Sequence, residues 1–377
     1  MKKGYKRTEI GIIPVDWEIV TLDELTYKIG DGIHSTPKYS SDGEYFFVNG
    51  NNLTDGKIVI SKETKKVSKE EFLIHKRILN NSTILLSING TIGNIAFYNN
   101  EKIVLGKSAA YINLNEKIEK ELLYQLLQTE FIEEYFNDEL TGSTIKNLGL
   151  GSIRNTPIPL PPLPEQKAIA EVLSDTDNLI QALEKRIAKK RLIKQGAMQK
   201  LLTPKDDWEV KKLGEILKVR HGKSQKDVED RNGQYPILGT GGLMGYANQF
   251  LYDRESVLIG RKGTIDKPRY MDIPFWTVDT LFYTEIFKYV SPKCLFYKFL
   301  QIDWYSYNEA SGVPSLNAKT IENIEISLPP LEEQTHIATI LSDMDSEIEA
   351  LEKKRAKYQL LKQGLMQNLL TGKIRLI

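Results

Sequence analysis

The chain of 377 residues has a single cysteine, Cys294, and only four scattered histidines, His34, His75, His221 and His336. One thiol cannot form an internal disulfide, and histidines this far apart form no metal-ligand motif. No apolar run is long enough to cross a bilayer, and the first residues lack the apolar block of a signal peptide. These absences predict a cytoplasmic protein without a metal site, a disulfide framework or a membrane anchor.

An excess of charge is also missing, because 51 basic residues are balanced by 50 acidic ones. Any site for DNA must therefore be a local patch of the surface. The length exceeds that of one ordinary core and predicts two globular domains with connecting elements. Gly222-Lys223-Ser224 and Gly106-Lys107-Ser108 both lack the earlier glycine of a phosphate-binding loop. We predict no catalytic residue in this chain.

The sequence does contain a long internal repeat. Residues 165–203 align without a gap with residues 333–371, and about 24 of 39 positions are identical. Both copies have apolar residues at three- and four-residue steps, which is typical of one stripe along a helix. We predict that the two helices pack on each other as an antiparallel coiled coil. The expected interface residues are Leu173, Ile180, Leu183, Leu341, Ile348 and Leu351.

The sequence allows two interpretations of each helix. Pro161-Pro162 and Pro329-Pro330 mark a rigid exit from a globular region. Ser174 and Ser342 then begin capping-box sequences, so each helix either restarts at the serine or continues past it. A continuous helix of 39 residues is about 58 Å long at 1.5 Å per residue. That length is on the scale of a helical turn of DNA, about 34 Å.

Two glycines interrupt the helical pattern at the same place, Gly196 and Gly364. Each costs about 1 kcal/mol relative to alanine within a helix. The close approach of another backbone, from the sister helix or from a partner protein, would account for that cost, and so would the end of a helix. Met198 and Met366 follow, and they fit a protein contact or a core position.

Outside the helices the two halves repeat more weakly. Asp16-Trp17-Glu18-Ile19 recurs as Asp207-Trp208-Glu209-Val210, and the strand-to-glycine sequence at 85–92 recurs at 258–265. We therefore predict an α+β fold with two similar globular domains, residues 1–163 and 205–330. Each is followed by a helical spacer, residues 164–204 and 331–377. An antiparallel pair of helices would relate the two halves by a pseudo-two-fold axis.

Several of these repeated segments carry a resemblance to a known family. They are Leu-Pro-Pro-Leu-x-Glu-Gln at 160–166 and 328–334, the Lys-Gln-Gly and Met-Gln-x-Leu-Leu-Thr at both helix ends, and the terminal Thr-Gly-Lys-Ile-Arg at 371–375. With them the chain resembles the specificity subunits of type I restriction-modification systems. The resemblance implies two target-recognition domains that each read one half of an asymmetric, split sequence in double-stranded DNA, with the helices setting the spacer.

The resemblance also implies partners. It predicts docking of two methylation subunits, which bind S-adenosylmethionine, and of motor-nuclease subunits, which use ATP and Mg. The chain itself would bind no cofactor. Gly196, Met198, Gly364 and Met366 are the candidate partner contacts on the helices.

DNA contacts are expected at the two glycine turns, after the first element of the second domain and at the equivalent place in the first. Arg, Lys and Asn distinguish base edges, and basic or hydroxyl side chains contact phosphates. The alternative is a plain hairpin turn with incidental charge. The candidates are Arg261, Lys262, Thr264, Arg220, His221, Lys223 and Lys226 in the second domain and Ser87, Asn89, Thr91, His34, Ser35 and Lys38 in the first.

These observations favour a DNA-recognition subunit, and two alternatives share part of the evidence. One is a recognition subunit of a related system in which a single partner chain both methylates and cleaves. The other is a coiled-coil scaffold without a nucleic-acid role. The scaffold would bind its partners but would have no salt-dependent affinity for DNA.

Overall fold

A computed structural model describes residues 4–142 and 146–376. In agreement with the sequence repeat, the chain forms two units that contain the same kinds of structural element. The first unit joins the residues up to Leu183 to those from Lys354 onward, and the second is Glu184–Lys353. Each unit therefore contains one globular domain, one half of the central helix and one half of the terminal helix. No helix in the described part of the chain is long and apolar enough to span a membrane.

The first domain is built on a four-stranded antiparallel sheet in the order β10-β9-β12-β4 and a three-stranded sheet in the order β11-β5-β8. Every residue of β9 and β12 is buried, as expected for strands covered on both faces. The strands are β1 Tyr5–Thr8, β2 Gly11–Pro14, β3 Glu18–Thr21, β4 Thr26–Asp31, β5 Tyr45–Val48, β6 Leu53–Thr54, β7 Lys57–Ile58, β8 Lys66–Val67, β9 Thr83–Ser87, β10 Ile95–Phe97, β11 Ile103–Leu105, β12 Ala109–Leu114, β13 Leu140–Thr141, β14 Asn147–Leu148 and β15 Pro157–Leu160. The helices are α1 Lys69–His75, α2 Lys120–Leu126, α3 Glu130–Asp138 and α4 Leu150–Arg154, and the central helix is α5 Leu163–Leu201.

The second domain repeats this topology. Its four-stranded sheet has the order β17-β23-β20-β21, and its three-stranded sheet has the order β19-β18-β22 with one parallel pair, as in the first domain. The strands are β16 Glu209–Lys212, β17 Leu217–Arg220, β18 Tyr235–Gly239, β19 Gly242–Ala247, β20 Ser256–Gly260, β21 Arg269–Met271, β22 Trp276–Thr277, β23 Leu281–Ile286 and β24 Glu325–Leu328. The helices are α6 Leu213–Ile216, α7 Pro292–Phe299 and α8 Ala318–Glu322, and the terminal helix is α9 Leu331–Leu369. The predicted α+β fold with two similar domains is confirmed.

Both long helices run without a break for 39 residues. The interpretation that they restart at Ser174 and Ser342 is therefore wrong. Gly196 and Gly364 lie inside the helices, so neither marks a helix end. A Cβ atom added at either glycine would meet no atom within 4 Å. The sister helix does not approach them closely either, and contact with a partner protein stays a prediction.

The helices α5 and α9 pack antiparallel within each unit. In the first unit Lys362 Nζ lies 2.7 Å from Asp177 Oδ1, and in the second the matched Lys194 pairs with Asp345. Lys190 Nζ also lies 2.7 Å from Glu347 Oε2. The predicted coil residues are buried, namely Leu173, Ile180, Leu183, Leu341, Ile348 and Leu351.

Leu173 and Leu341 have a wider role than the coil prediction gave them. Leu173 shares a core with the first domain and with the end of α9, and Leu341 shares one with Trp208 and Leu202. Met366 and Met198 pack against the same two clusters. The methionines therefore fill the core, as one of the two interpretations predicted.

A buried carboxylate fastens the first domain to its helix. In the first unit Glu165 is 1% exposed, and its oxygens accept hydrogen bonds from Trp17 Nε1 at 3.0 Å and from Arg375 Nε at 2.7 Å and Nη2 at 2.8 Å. Arg375 also binds Asp16 through two hydrogen bonds of 2.9 and 2.7 Å. Burial by itself would raise the pKa of Glu165, but the hydrogen bonds from Arg375 and Trp17 outweigh it and the pKa is lowered.

We expect Arg375→Ala to destabilise the first unit by about 3 kcal/mol, because it leaves a buried carboxylate without its cation. Urea unfolding of the purified chain measures the change. Lys373→Ala is the matched control, since Lys373 is an exposed cation two residues away on the same segment, and we expect it to be within about 0.5 kcal/mol of wild type.

The pH dependence checks the cause. The pKa values of Glu165 and Asp16 are both lowered, so their pairing with Arg375 stabilises the fold above the ordinary carboxyl pKa and is lost as the pH falls through the lowered values. The stability difference between wild type and Arg375→Ala should be constant above about pH 5 and should shrink below about pH 4. A difference that does not change with pH would mean that lost packing, and not the ion pair, causes the destabilisation.

Candidate nucleic-acid interface

The two glycine turns have the same backbone in both domains. Gly263 and Gly90 have φ angles of +88° and +75°, which favour glycine. The residue two positions earlier accepts a 2.9 Å hydrogen bond from a distant amide: Arg261 O from Leu316 N in the second domain, and Ile88 O from Leu148 N in the first. The turns are therefore fixed by tertiary structure, and Arg261 occupies the position that Ile88 occupies in the first domain.

A second loop, residues 308–316, holds the turn of the second domain, and the sequence analysis did not identify it. Gly263 N donates to Pro314 O at 2.9 Å. Asn308 Oδ1 accepts hydrogen bonds from Ala310 N at 3.1 Å and from Ser315 N at 2.9 Å, which closes the loop. Val313 at its tip is 68% exposed. The cluster of Asn, Gly, Pro and Ser in 308–315 was the available signal for a turn.

Three candidate side chains of the second domain come together here. His221, Arg261 and Lys262 line one concavity of about 290 Å³, together with Glu309 and Asn317. The His221 ring packs edge-on against Phe282, with ring centroids 4.9 Å apart. The structure thus joins two groups that the sequence left separate, the glycine turn and the segment that follows strand β17. Donor side chains that converge on one hollow suit an anionic or acceptor-rich ligand.

The other candidates of the second domain lie apart from this concavity. Arg220 Nη2 pairs with Glu285 Oε2 at 2.8 Å. Thr264 is partly buried, while Lys223 and Lys226 are exposed. Whether these residues contact DNA stays a prediction.

In the first domain the turn is uncharged and one candidate has to be corrected. Ser87 is fully buried, and its hydroxyl bonds to Thr91 O and accepts from Asn94 N at 2.9 Å. It holds the turn together and cannot reach DNA. Asn89 and Thr91 lie at the surface of the turn, and Asn89 Nδ2 donates a long hydrogen bond of 3.4 Å to Lys107 O.

The loop with the other candidates of this domain follows strand β4 and is tied to helix α1. His34 Nε2 lies 2.8 Å from Asp31 Oδ2, and the backbone amide of Lys38 donates to Glu71 Oε1 at 2.9 Å. The side chains of His34, Ser35 and Lys38 are all exposed. This loop therefore presents polar groups from a supported backbone.

Shifted pKa values occur away from the turns. Burial raises the pKa of Cys294 to about 12, and burial lowers that of Lys298 to about 8. Lys298 Nζ donates to Leu202 O at 3.0 Å and so closes the end of α5. Cys294 and Lys298 lie where the second domain packs against the end of α5. Among the described residues no three His, Cys, Asp or Glu side chains gather where a metal could bind.

The chain matches one known family along most of its length. The profile of the type I restriction modification DNA specificity domain matches residues 14–191 and again 205–359. The putative type I restriction enzyme MjaX specificity subunit of Methanocaldococcus jannaschii is 29% identical over 428 residues, covering 99% of this chain and 97% of the relative. The MjaVIII specificity subunit of the same organism is 28% identical, covering 96% and 94%.

A solved structure has the same fold. The crystal structure of the type I restriction-modification S subunit of Mycoplasma genitalium superposes with a TM-score of 0.69 at 19% identity, covering 94% of this chain and 96% of that one. At this identity the likeness extends to the fold alone. It agrees with two domains built from one plan.

We expect Gly263→Ala to destabilise the second unit by about 1 to 2 kcal/mol, because alanine is strained at a φ of +88° even where space is open. Urea unfolding measures the loss. Gly312→Ala is the matched control: Gly312 lies on the neighbouring loop, also has open space, and has no positive φ. Equal stability of the two variants would contradict the assigned turn.

Proposed function

We propose the following function for this chain, which belongs to the family of type I restriction modification DNA specificity domains and matches the profile of that family twice. The chain is the DNA-recognition subunit of a type I restriction-modification complex. Each domain reads one half of an asymmetric, bipartite target in double-stranded DNA, and the unbroken helices set the spacer. Such a subunit works in the cytoplasm, where the DNA is.

One observation carries this proposal. The two domains share one backbone scaffold at the glycine turn but carry different side chains on it, Arg261 and Lys262 in one domain and the buried Ile88 and partly exposed Asn89 in the other. A pair of readers for two different half-sites requires a common frame with different donors and acceptors. A scaffold without a nucleic-acid role has no need for this difference.

Catalysis would belong to partner subunits. The methylation subunits would bind S-adenosylmethionine, and motor-nuclease subunits would use ATP and Mg. The long helices offer each unit one exposed apolar patch: Leu192 and Ile193 on α5 are 70% and 47% exposed, and the matched Leu360 and Leu361 on α9 are 69% and 48% exposed. Gly196 and Gly364 lie one turn further along, where open space would let a partner backbone approach. Two patches this similar in position and exposure suit two copies of one partner.

The test of the proposal is to co-express the chain with the methylation subunit encoded beside it and to map methylated adenines in the host DNA. We expect a split motif with a fixed spacer and one modified adenine in each half. The purified complex should also lose DNA affinity steeply as salt rises, because phosphate contacts release counterions. An intact complex with no motif and no salt-dependent DNA binding would leave the coiled-coil scaffold as the function.

The docking patches give a separate prediction. We expect Leu192→Glu and Leu360→Glu each to remove one of two methylation subunits and the double variant to remove both, because each buries a charge in an apolar contact. Native mass spectrometry counts the bound subunits. Lys185→Glu changes an exposed position on α5 outside the patch, and we expect it to keep both. Unchanged stoichiometry in the double variant would place the docking surface elsewhere.

A further inference from the structure

We infer that Arg261 reads a guanine in the half-site of the second domain and that the first domain makes no equivalent contact. The inference rests on the proposed function and adds to it a specific residue, a base and an asymmetry between the two half-sites. It depends on how the guanidinium group is held, on the donors that remain free, and on the residues at the matched positions of the first domain.

The backbone and one edge of the Arg261 side chain are fixed. Its amide donates to Thr280 O at 2.8 Å, and its carbonyl accepts from Leu316 N at 2.9 Å. Nη1 donates to Asp279 O at 3.1 Å. Within residues 4–142 and 146–376, no hydrogen bond uses Nε or Nη2 of Arg261, so that edge of the guanidinium keeps two parallel donors free, and Arg261 is one of the residues that line the concavity. The Asp279 carboxylate lies 4.0 Å from Nη1 and leaves the edge with Nε and Nη2 open.

Two parallel donors match guanine in the major groove. Guanine presents two acceptors there, O6 and N7, and arginine bound to both is the commonest specific contact between a protein and a base. An edge held in place before binding loses less conformational entropy when it binds. The acid of the concavity, Glu309, accepts a hydrogen bond from the Thr320 hydroxyl and is not paired with Arg261. Lys262 and His221 border the same hollow and add further donors.

The strand register identifies the matched residues of the first domain. In the second domain Gly260 pairs with Leu281, and in the first domain Ser87 pairs with Ala109, so these two pairs correspond. The next residue along each strand then corresponds as well: Phe282 matches Ala110, and Arg261 matches Ile88. By the same register, His221 matches Asp31, which lies opposite Ala110. Where the second domain has histidine, arginine and phenylalanine, the first has aspartate, isoleucine and alanine. Ile88 is only 3% exposed and has no donor.

The experiment uses the whole complex with its cognate methylation subunit and maps methylated adenines for wild type, Arg261→Ile and Arg261→Lys. Isoleucine is the residue of the first domain, and lysine keeps the charge but loses the planar two-donor edge. We expect the wild-type motif to hold a G·C pair that Arg261→Ile relaxes by about 5-fold to 100-fold at that position alone. Arg261→Lys should relax the same position partly. Arg231→Ala, an exposed arginine of the same domain, should leave the motif unchanged.

Each other outcome has a defined meaning. Equal weakening at all sequences, with a shallower salt dependence, would make Arg261 a phosphate contact and overturn the guanine assignment. An unchanged motif in both variants, or relaxation at an A·T pair, would also overturn it. The half-site of the first domain serves as an internal control for folding and assembly, because its motif should persist. A wild-type complex without any bipartite motif would instead refute the proposed function.

Discussion

The joint between each domain and its helix is the interaction on which the rest of the structure depends. Glu165 and Glu333 each accept a hydrogen bond from a tryptophan indole, Trp17 at 3.0 Å and Trp208 at 3.1 Å. The two joints differ in their cation, which is Arg375 in the first and Lys205 in the second. The Glu165 carboxylate is buried and would be costly without its cation, whereas Glu333 is only partly buried. In both units the chain passes close to the carboxylate after a long helix, and these contacts hold each domain on its helix.

Contacts of this kind also explain why the helices repeat closely and the domains do not. A helix residue such as Asp177 or Asp345 must meet both the other helix and the globular domain, through Lys362 and Gln125 in one unit and Lys194 and Tyr297 in the other. Substitution there disturbs two contacts at once. Surface side chains on the glycine turns have no such double constraint, so they can differ while the backbone stays the same.

Helical periodicity and the internal repeat were enough to predict the two long helices and the two similar domains, because apolar residues that recur over 39 positions are a strong signal. The signal failed where the outcome depends on distant partners. Ser174 resembles a helix cap, but the backbone amides that follow it already donate hydrogen bonds within a continuous helix. Ser87 looked like a surface residue of a turn, yet its hydroxyl is enclosed by Thr91 and Asn94. The loop 308–316 was missed because its contacts with the turn are backbone hydrogen bonds, which side-chain patterns do not reveal.

The side chain at the glycine turn differs between the domains together with the size of the core residue beneath it. In the first domain the small Ala110 leaves room in the core, and Ile88 is buried in the same cluster. In the second domain the matched Phe282 is itself fully buried, and the residue at 261 stays at the surface with its guanidinium partly exposed. The change from alanine to phenylalanine in the core is therefore accompanied by a change from a buried apolar side chain to a partly exposed cationic one. Two domains of one fold can in this way present different chemistry without any change in strand order or register.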